Sequence, residues 1–373
     1  MAITRMAAWT ATVTALGSAF LLAAPMFARG GDEARPWNAK AAAAYLDARQ
    51  AWWMAWPSAA RDHDTACVSC HTALPFALSR PVLRSALNEP ALSPVEAKLL
   101  DQVVKRVRAW KDVAPYYPDQ TRGLPKTAES RGTESVLNAV ILARRDAAQG
   151  VLTEDARLAF SNLWALQMRT GELNGAWAWL KFGLEPWEGA ASAYFGATLA
   201  TVAVGSAPGN YAASADIQDN VRLLRGYLTK QFDNQPLFNR LMLLWAANTL
   251  PGVLTPEGRD AIVAEALAKQ QADGGWSMSS LGPWRRTDGS VMDSNSDGYA
   301  TGLALFALQQ AGLPASHPRV ESGLNWLVQH QDAATGQWWA SSLNKQRAPE
   351  SDAGRFMSDA ATAYAVLALM SVR

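Results

Sequence analysis

Apolar residues return every three or four positions in ten separate stretches of this chain: residues 97–110, 136–147, 155–168, 194–204, 217–232, 237–249, 257–271, 299–311, 319–330 and 359–371. That period puts them on one side of an α-helix. Helix-ending clusters lie between the stretches, for example Ala207-Pro208-Gly209-Asn210 and Leu250-Pro251-Gly252. Runs that alternate apolar and polar residues, as half-buried strands do, are missing. The pattern predicts an all-α chain.

The C-terminal half repeats itself. Gln271-Ala272-Asp273-Gly274-Gly275-Trp276, followed by Ser279-Ser280-Leu281, recurs as Gln331 through Gly336-Gln337-Trp338, followed by Ser341-Ser342-Leu343. Trp276 and Trp338 are 62 positions apart. Ser296-Asp297 with Ala300-Thr301 recurs as Ser358-Asp359 with Ala361-Thr362, and a worn third copy runs from Leu166-Gln167 to Gly175-Ala176-Trp177. Each copy reads as a helix, a Gln-Gly-Trp turn, a loop and a second helix. A fixed period of this kind marks stacked supersecondary units that share one core.

Gln271, Asp273, Gly274 and Trp276 resemble the Gln-Trp repeats of squalene-hopene cyclases and related terpenoid cyclases. The paired helices are also similar to prenyltransferase and squalene-oxidase repeats. The resemblance covers residues 155–373. It implies an α/α toroid, with inner helices around a central cavity, outer helices around them, and Gln and Trp side chains tying helix ends at the rim. The activity of the cyclases is a weaker implication. They protonate their substrate from an Asp-x-Asp-Asp motif, and the matching stretch here is Met292-Asp293-Ser294-Asn295-Ser296-Asp297. Asp293 and Asp297 are the candidates for such an acid, yet neither has a paired carboxyl beside it. A strong acid needs partners that hold its proton and stabilise its conjugate base. The plainer expectation is that Asp297 and Asp359 sit at helix N-termini and accept backbone N–H groups. The toroid zinc prenyltransferases spread an Asp, a Cys and a His over the ring, whereas both cysteines here stand close together near the N-terminus.

Those cysteines are the only two in 373 residues, and they form Cys67-Val68-Ser69-Cys70-His71. The order matches the c-type haem attachment pattern: two thiols to bond the porphyrin edge and an adjacent imidazole to reach the iron. On a helical turn, thiols three positions apart would share one face. A disulfide or free dithiol is an alternative, as is a tetrahedral zinc held by His63, Cys67, Cys70 and His71. For a haem, the sixth ligand is open among His63, Met278, Met292, His317, His330 and Met357. Trp52-Trp53-Met54-Ala55-Trp56 lies a dozen residues upstream, ready to wall a porphyrin, touch a membrane surface or pack in the core. Glu129-Ser130-Arg131-Gly132-Thr133-Glu134 reads as a cap before a helix beginning near Val136.

Residues 1–28 read as a secretory signal peptide: a basic start at Met1–Arg5, an apolar run to Phe27, and a small-residue cleavage neighbourhood ending at Ala28. The implied location is periplasmic or secreted, the compartment in which covalent haem is attached. Residues 29–125 then form an N-terminal helical segment carrying the motif, and residues 126–373 form the toroid repeats, with both in one compact unit. Beyond the signal, no apolar run approaches the ~20 residues that cross a membrane, although peripheral membrane contact stays open. A net charge of +1 with no basic stripe argues against nucleic acid as a partner. The sixteen tryptophans supply aromatic packing or a π-lined pocket.

Together these features describe an exported protein carrying haem c on a squalene-cyclase-like toroid. Its expected role is redox, with a partner protein or an apolar, isoprenoid-like small molecule. The alternatives are a non-redox cyclase-like enzyme, with the cysteines structural, and a non-catalytic ligand-binding toroid. Whether it turns over a substrate is left open.

Overall fold

The computed structural model describes Met1 and residues 37–371, so the expected signal peptide, Met1 apart, lies outside the described residues. Thirteen α-helices are found among the described residues. They are α1 (Ala39–Ala55), α2 (Ala73–Ala86), α3 (Pro94–Arg108), α4 (Asp119–Arg122), α5 (Lys126–Gln149), α6 (Glu154–Ala165), α7 (Ser192–Ser206), α8 (Gln218–Gln231), α9 (Leu237–Thr249), α10 (Pro256–Ala268), α11 (Gly298–Gln310), α12 (Pro318–Gln329) and α13 (Phe356–Met370). The only regular strands among these residues are a two-residue antiparallel pair, β1 (Ala60–Arg61) and β2 (Thr65–Ala66).

Six helices pack side by side in a closed circuit, in the order α2, α5, α7, α9, α11, α13 and back to α2. They are buried nearly all round. In α7, α11 and α13, for instance, eleven or twelve residues each are buried. Outside them lie α1, α3, α6, α8, α10 and α12, each packed on a neighbouring inner helix: α1 on α2, α3 on α2 and α5, α6 on α5, α8 on α7, α10 on α9 and α12 on α11. Their inward stripes are apolar and their outer faces wet, as in α8, where Val221, Leu224 and Leu228 are buried between exposed Asp219 and Arg222. The result is an all-α toroid of six helix pairs. The circuit takes α2, with α1 packed outside it, from residues before 126, so the segment carrying the motif closes the ring.

The repeat turns perform that closure. Trp177, Trp276 and Trp338 are fully buried, and each indole N–H donates to a backbone carbonyl near the end of the preceding outer helix: Leu163 (2.7 Å), Ala266 (2.7 Å) and Leu327 (2.8 Å). Two residues before each Trp stands a glycine at positive φ, Gly175 (99°), Gly274 (91°) and Gly336 (80°). A Cβ there would also strike the next outer helix. A glutamine amide in each copy bridges the turn to that next helix. Gln167 donates to the Gly175 and Asn220 carbonyls, Gln270 to those of Gly274 and Arg319, and Gln331 to those of Gly336 and Asn38. Asn38 is the N-cap of α1, so the last repeat grips the first helix. The bridging residue in the middle copy is Gln270; Gln271, singled out from the repeat, instead bonds Ser294 and Ser296.

Inside the ring, Tyr364 of α13 reaches past α11 to place its hydroxyl 3.4 Å from the Met242 sulfur of α9. Trp187 stacks on Tyr299, with centroids 5.8 Å apart. Aromatic and Met side chains thus fill the ring at this level, where a central cavity was expected. The sequence pattern gave residues 29–125 as helical without delimiting α1 and α2, and it started α5 ten residues late. Buried polar side chains explain the last point. Glu134, at 0% side-chain exposure, is paired with Arg106, and Glu129 with Lys126. Residues that look like a solvated cap are therefore the first turns of an inner helix.

Candidate functional site

The motif is held between the strand pair and α2. Backbone bonds hold its start, with Cys67 N–H donating to Ala59 O (2.8 Å) and the Trp53 indole donating to Cys67 O (2.7 Å). Arg106, 1% exposed, braces the strand pair by bonding Thr65, Asp62 and the Ala114 carbonyl while pairing with Glu134. Ser69 caps α2, its Oγ accepting from Thr72 N (3.2 Å) and Ala73 N (3.0 Å). Residues 67–70 are not helical, contrary to the expected shared helical face; the helix begins only at Ala73.

Cys67 and Cys70 are free thiols, 7% and 6% exposed. Burial pushes the Cys67 thiol up to about 12 and Cys70 well above its ordinary value. Neither is a thiolate at neutral pH, so neither is a poised nucleophile.

His71 is half-buried in an aromatic nest. Phe356 stacks on its ring at 3.8 Å, Trp53 meets it edge-on at 4.8 Å, and Trp187 lies at 5.9 Å. Trp52 and Trp56 join by packing on Phe356, at 6.2 Å each. All three tryptophans of the 52–56 run thus reach Phe356. Burial, and secondarily the Arg49 charge, hold the imidazole down at about 3, so it is neutral at physiological pH.

A hydrogen-bond chain fixes which nitrogen carries the proton. Thr72 Oγ1 donates to Asp359 Oδ2 (2.6 Å), and Asp359 Oδ1 accepts from Tyr45 (2.8 Å) and from Arg49 Nε (2.8 Å). Arg49 and Asp359 are 5% and 1% exposed, and a guanidinium cannot be neutralised, so the carboxyl is held ionised as its counter-charge. Burial raises the carboxyl and Arg49 pulls it back. With the Thr72 hydrogen committed to Asp359, the Thr72 oxygen accepts from His71 Nδ1, 2.7 Å away. His71 therefore bears its proton on Nδ1 and keeps a lone pair on Nε2. This is the arrangement of a ligating or proton-accepting histidine oriented by a partner.

Two further groups belong here. Glu188 is half-buried, and burial pushes its carboxyl up to about 7. Arg61 lies over Tyr117 at 4.7 Å, and its Nε and Nη2 are buried without a hydrogen-bond partner among the described residues. A guanidinium so placed near Cys67 is equipped to meet an anionic group.

The two acid candidates lie apart from this site. Asp297 is the N-cap of α11. Its Oδ1 accepts from Tyr299 N and Ala300 N (2.9 Å each) and its Oδ2 from Met278 N (2.6 Å). Burial nonetheless pushes it up to about 7. Asp293 is exposed and bonds Asn295 N and Ser341. Both border a cavity of about 490 Å³ that also touches Trp339 and Arg347. Asp359, expected to be a cap like Asp297, accepts from side chains instead.

The remaining ligand candidates are scattered. His63 is half-exposed and 3.1 Å from Asp62; His317 caps α12; His330 stacks on Trp326 at 4.0 Å. Met278 is buried and Met292 partly so, both near Asp297, and Met357 is buried one residue beyond Phe356. Among the described residues, no three His, Cys, Asp or Glu side chains are grouped as a metal site would require, so the His63–Cys67–Cys70–His71 set does not converge. No described helix is long and apolar enough to cross a membrane. Thr72, Phe356, Trp187, Glu188 and Arg61 were not foreseen. Only Thr72, adjacent to the motif, carried a local signal.

No protein-family model matches the sequence, and no curated protein does. Among solved structures, the chain is similar to ent-copalyl diphosphate synthase from Streptomyces platensis, at 19% identity and a TM-score of 0.44, over 79% of this chain and 50% of that one. The chain spans about half the length of that protein. The toroid assignment rests on the closed ring of helices.

Proposed function

We propose that the chain is an exported redox protein that carries one haem c, which Cys67 and Cys70 would hold as thioethers and His71 would ligate through Nε2. The observation that carries this reading is the His71–Thr72–Asp359 chain: it places the imidazole proton on Nδ1 and leaves the Nε2 lone pair free beside two free thiols. The donor set suits the group. Trp53, Trp187 and Phe356 offer π surfaces around the imidazole, and the unpartnered Arg61 nitrogens offer a cation for a carboxylate edge. A bound haem would supply one-electron transfer through its iron.

The chain's own residues set the conditions for that role. Thr72 and Asp359 hold the imidazole ring and its tautomer, which makes Nε2 a better electron donor. The tryptophans and Phe356 exclude water from the imidazole face. Because both thiols are almost fully buried, they must be linked before α2 docks against α13 and the ring closes. Folding and attachment are therefore ordered events, which fits maturation outside the cytoplasm.

The alternative, cyclase-like acid chemistry, has one observation in its favour: Asp297 borders a cavity and its proton affinity is raised. Against it, three backbone N–H groups already bond the carboxyl oxygens, two on Oδ1 and one on Oδ2, which is the part of a helix cap and turn tie.

The test is a haem-stained denaturing gel of protein exported from a host with the c-type maturation machinery. Haem that stays with the denatured chain and disappears in the Cys67→Ala/Cys70→Ala protein is the expected result. Correctly exported protein without covalent haem would overturn the proposal.

A further inference from the structure

A cavity of about 640 Å³ lies between the C-terminal halves of α2 and α5, roofed by α3 and the loop before it. Neighbouring inner helices pack least closely here. Pro81 contributes to that looseness, because it has no N–H to give the Ala77 carbonyl four residues earlier. The walls are apolar, formed by Phe76, Val82, Leu99, Leu100 and Ile141, with Leu92 43% exposed at the rim.

The charges around this cavity balance except for one. Arg84 is paired with Glu96 (3.3 Å), whose other oxygen accepts from Ser93 N (2.9 Å). Arg145 is paired with Asp146 (2.7 Å) and donates to Thr153 (2.6 Å). Arg80 next to it is shared by Asp47 and Glu89. Arg144 is half-buried and lines the cavity, yet it makes no hydrogen bond or ion pair among the described residues. Burial alone pulls its guanidinium down, with no carboxylate to raise it. A half-buried guanidinium without a protein partner presents a positive charge on the cavity wall to any anionic group that enters.

We infer that this cavity is a binding site for a single-chain amphiphile with a monoanionic carboxylate head, the head paired with Arg144 and the chain laid along the apolar walls. One uncompensated positive charge calls for one negative charge, and the volume lies within the range of small-molecule sites. The planar guanidinium suits bidentate pairing with a carboxylate. The site lies away from the motif and does not depend on haem.

The probe is dodecanoate, titrated calorimetrically into the full mature chain below its micelle concentration, with dodecanol and butanoate as comparisons. Dodecanoate should bind saturably at one site and more tightly than either comparison. Arg144→Gln should weaken it by roughly tenfold or more, the scale of a lost charge-assisted pair, while leaving dodecanol unchanged. Ala148→Trp, at an exposed position on the cavity wall, should weaken both. Circular dichroism of each variant reports whether it is folded. Should Arg144→Gln misfold, the Ala148→Trp result and the preference for dodecanoate over dodecanol still decide the matter. Equal dodecanoate binding by wild type and folded Arg144→Gln, no preference over dodecanol, or no saturable binding would overturn the inference.

Discussion

Asp297 and Asp359 stand at matching places in consecutive repeats, and the fold puts them to different uses. Asp297 faces backbone N–H groups and ties the Trp276 turn to the start of α11. Asp359 lies in the first turn of α13, where its neighbours are α1 and the residues before α2, and it meets Arg49, Tyr45 and Thr72. The difference comes from the ring closure. Only the last repeat abuts the N-terminal pair of helices, which brings an arginine, a tyrosine and the motif's flanking threonine. A repeated residue thus becomes specialised through its neighbour, with no change in its own segment.

That contrast can be broken by exchange of single atoms. Asp359→Asn should be the most damaging change, at about 3–5 kcal/mol of stability, because it leaves the buried Arg49 without its main counter-charge. Urea denaturation measures it. Asp297→Asn should cost less, about 1–3 kcal/mol, since its amide oxygen can still accept from Tyr299 and Ala300 while its NH2 group opposes the Met278 N–H. Equal losses, or a larger loss at Asp297, would erase the distinction.

The pH dependence separates the sites further. The folded-state values of Asp297 and Glu188, about 7, exceed their unfolded values of 3.8 and 4.5. Folded protein therefore holds more protons in that window, and stability falls as pH rises through it to about 7. Asp297→Asn should flatten this alkaline loss, seen as a smaller drop in urea midpoint from pH 5 to pH 8. His71 has the opposite sign. Its folded value of about 3 lies below the unfolded 6.5, so its contribution is present above 6.5 and lost as pH falls toward 3. His71→Phe should make that acid limb shallower. The smallest effect belongs to Thr72→Val, about 1–2 kcal/mol for its two lost hydrogen bonds, to Asp359 and from His71, which cuts the link between those residues entirely.

Much of the fold was legible because each repeat states its own rules. The Trp at the turn, the Gly two positions earlier and the helical period beyond are local signals, and each maps onto a contact within or next to its own repeat. The N-terminal helices were harder to read. Pro81 interrupts α2, and α1 mixes polar Arg49 and Gln50 into its buried face. The Cys-x-x-Cys-His motif was evident, but its neighbours were not, since Asp359 lies 287 positions from Thr72 and Phe356 comes from the far end of the chain. Ring closure is a long-range event, and no local pattern encodes which side chains it brings together.

The central claim concerns one proton. In protein made without the maturation machinery, long-range ¹H–¹⁵N correlation of the His71 imidazole reads both its tautomer and its charge. The account predicts a neutral ring from pH 5 to pH 8, with the proton on Nδ1, and a loss of that tautomer preference in Thr72→Val. A ring that titrates near 6.5, or one protonated on Nε2, would contradict it.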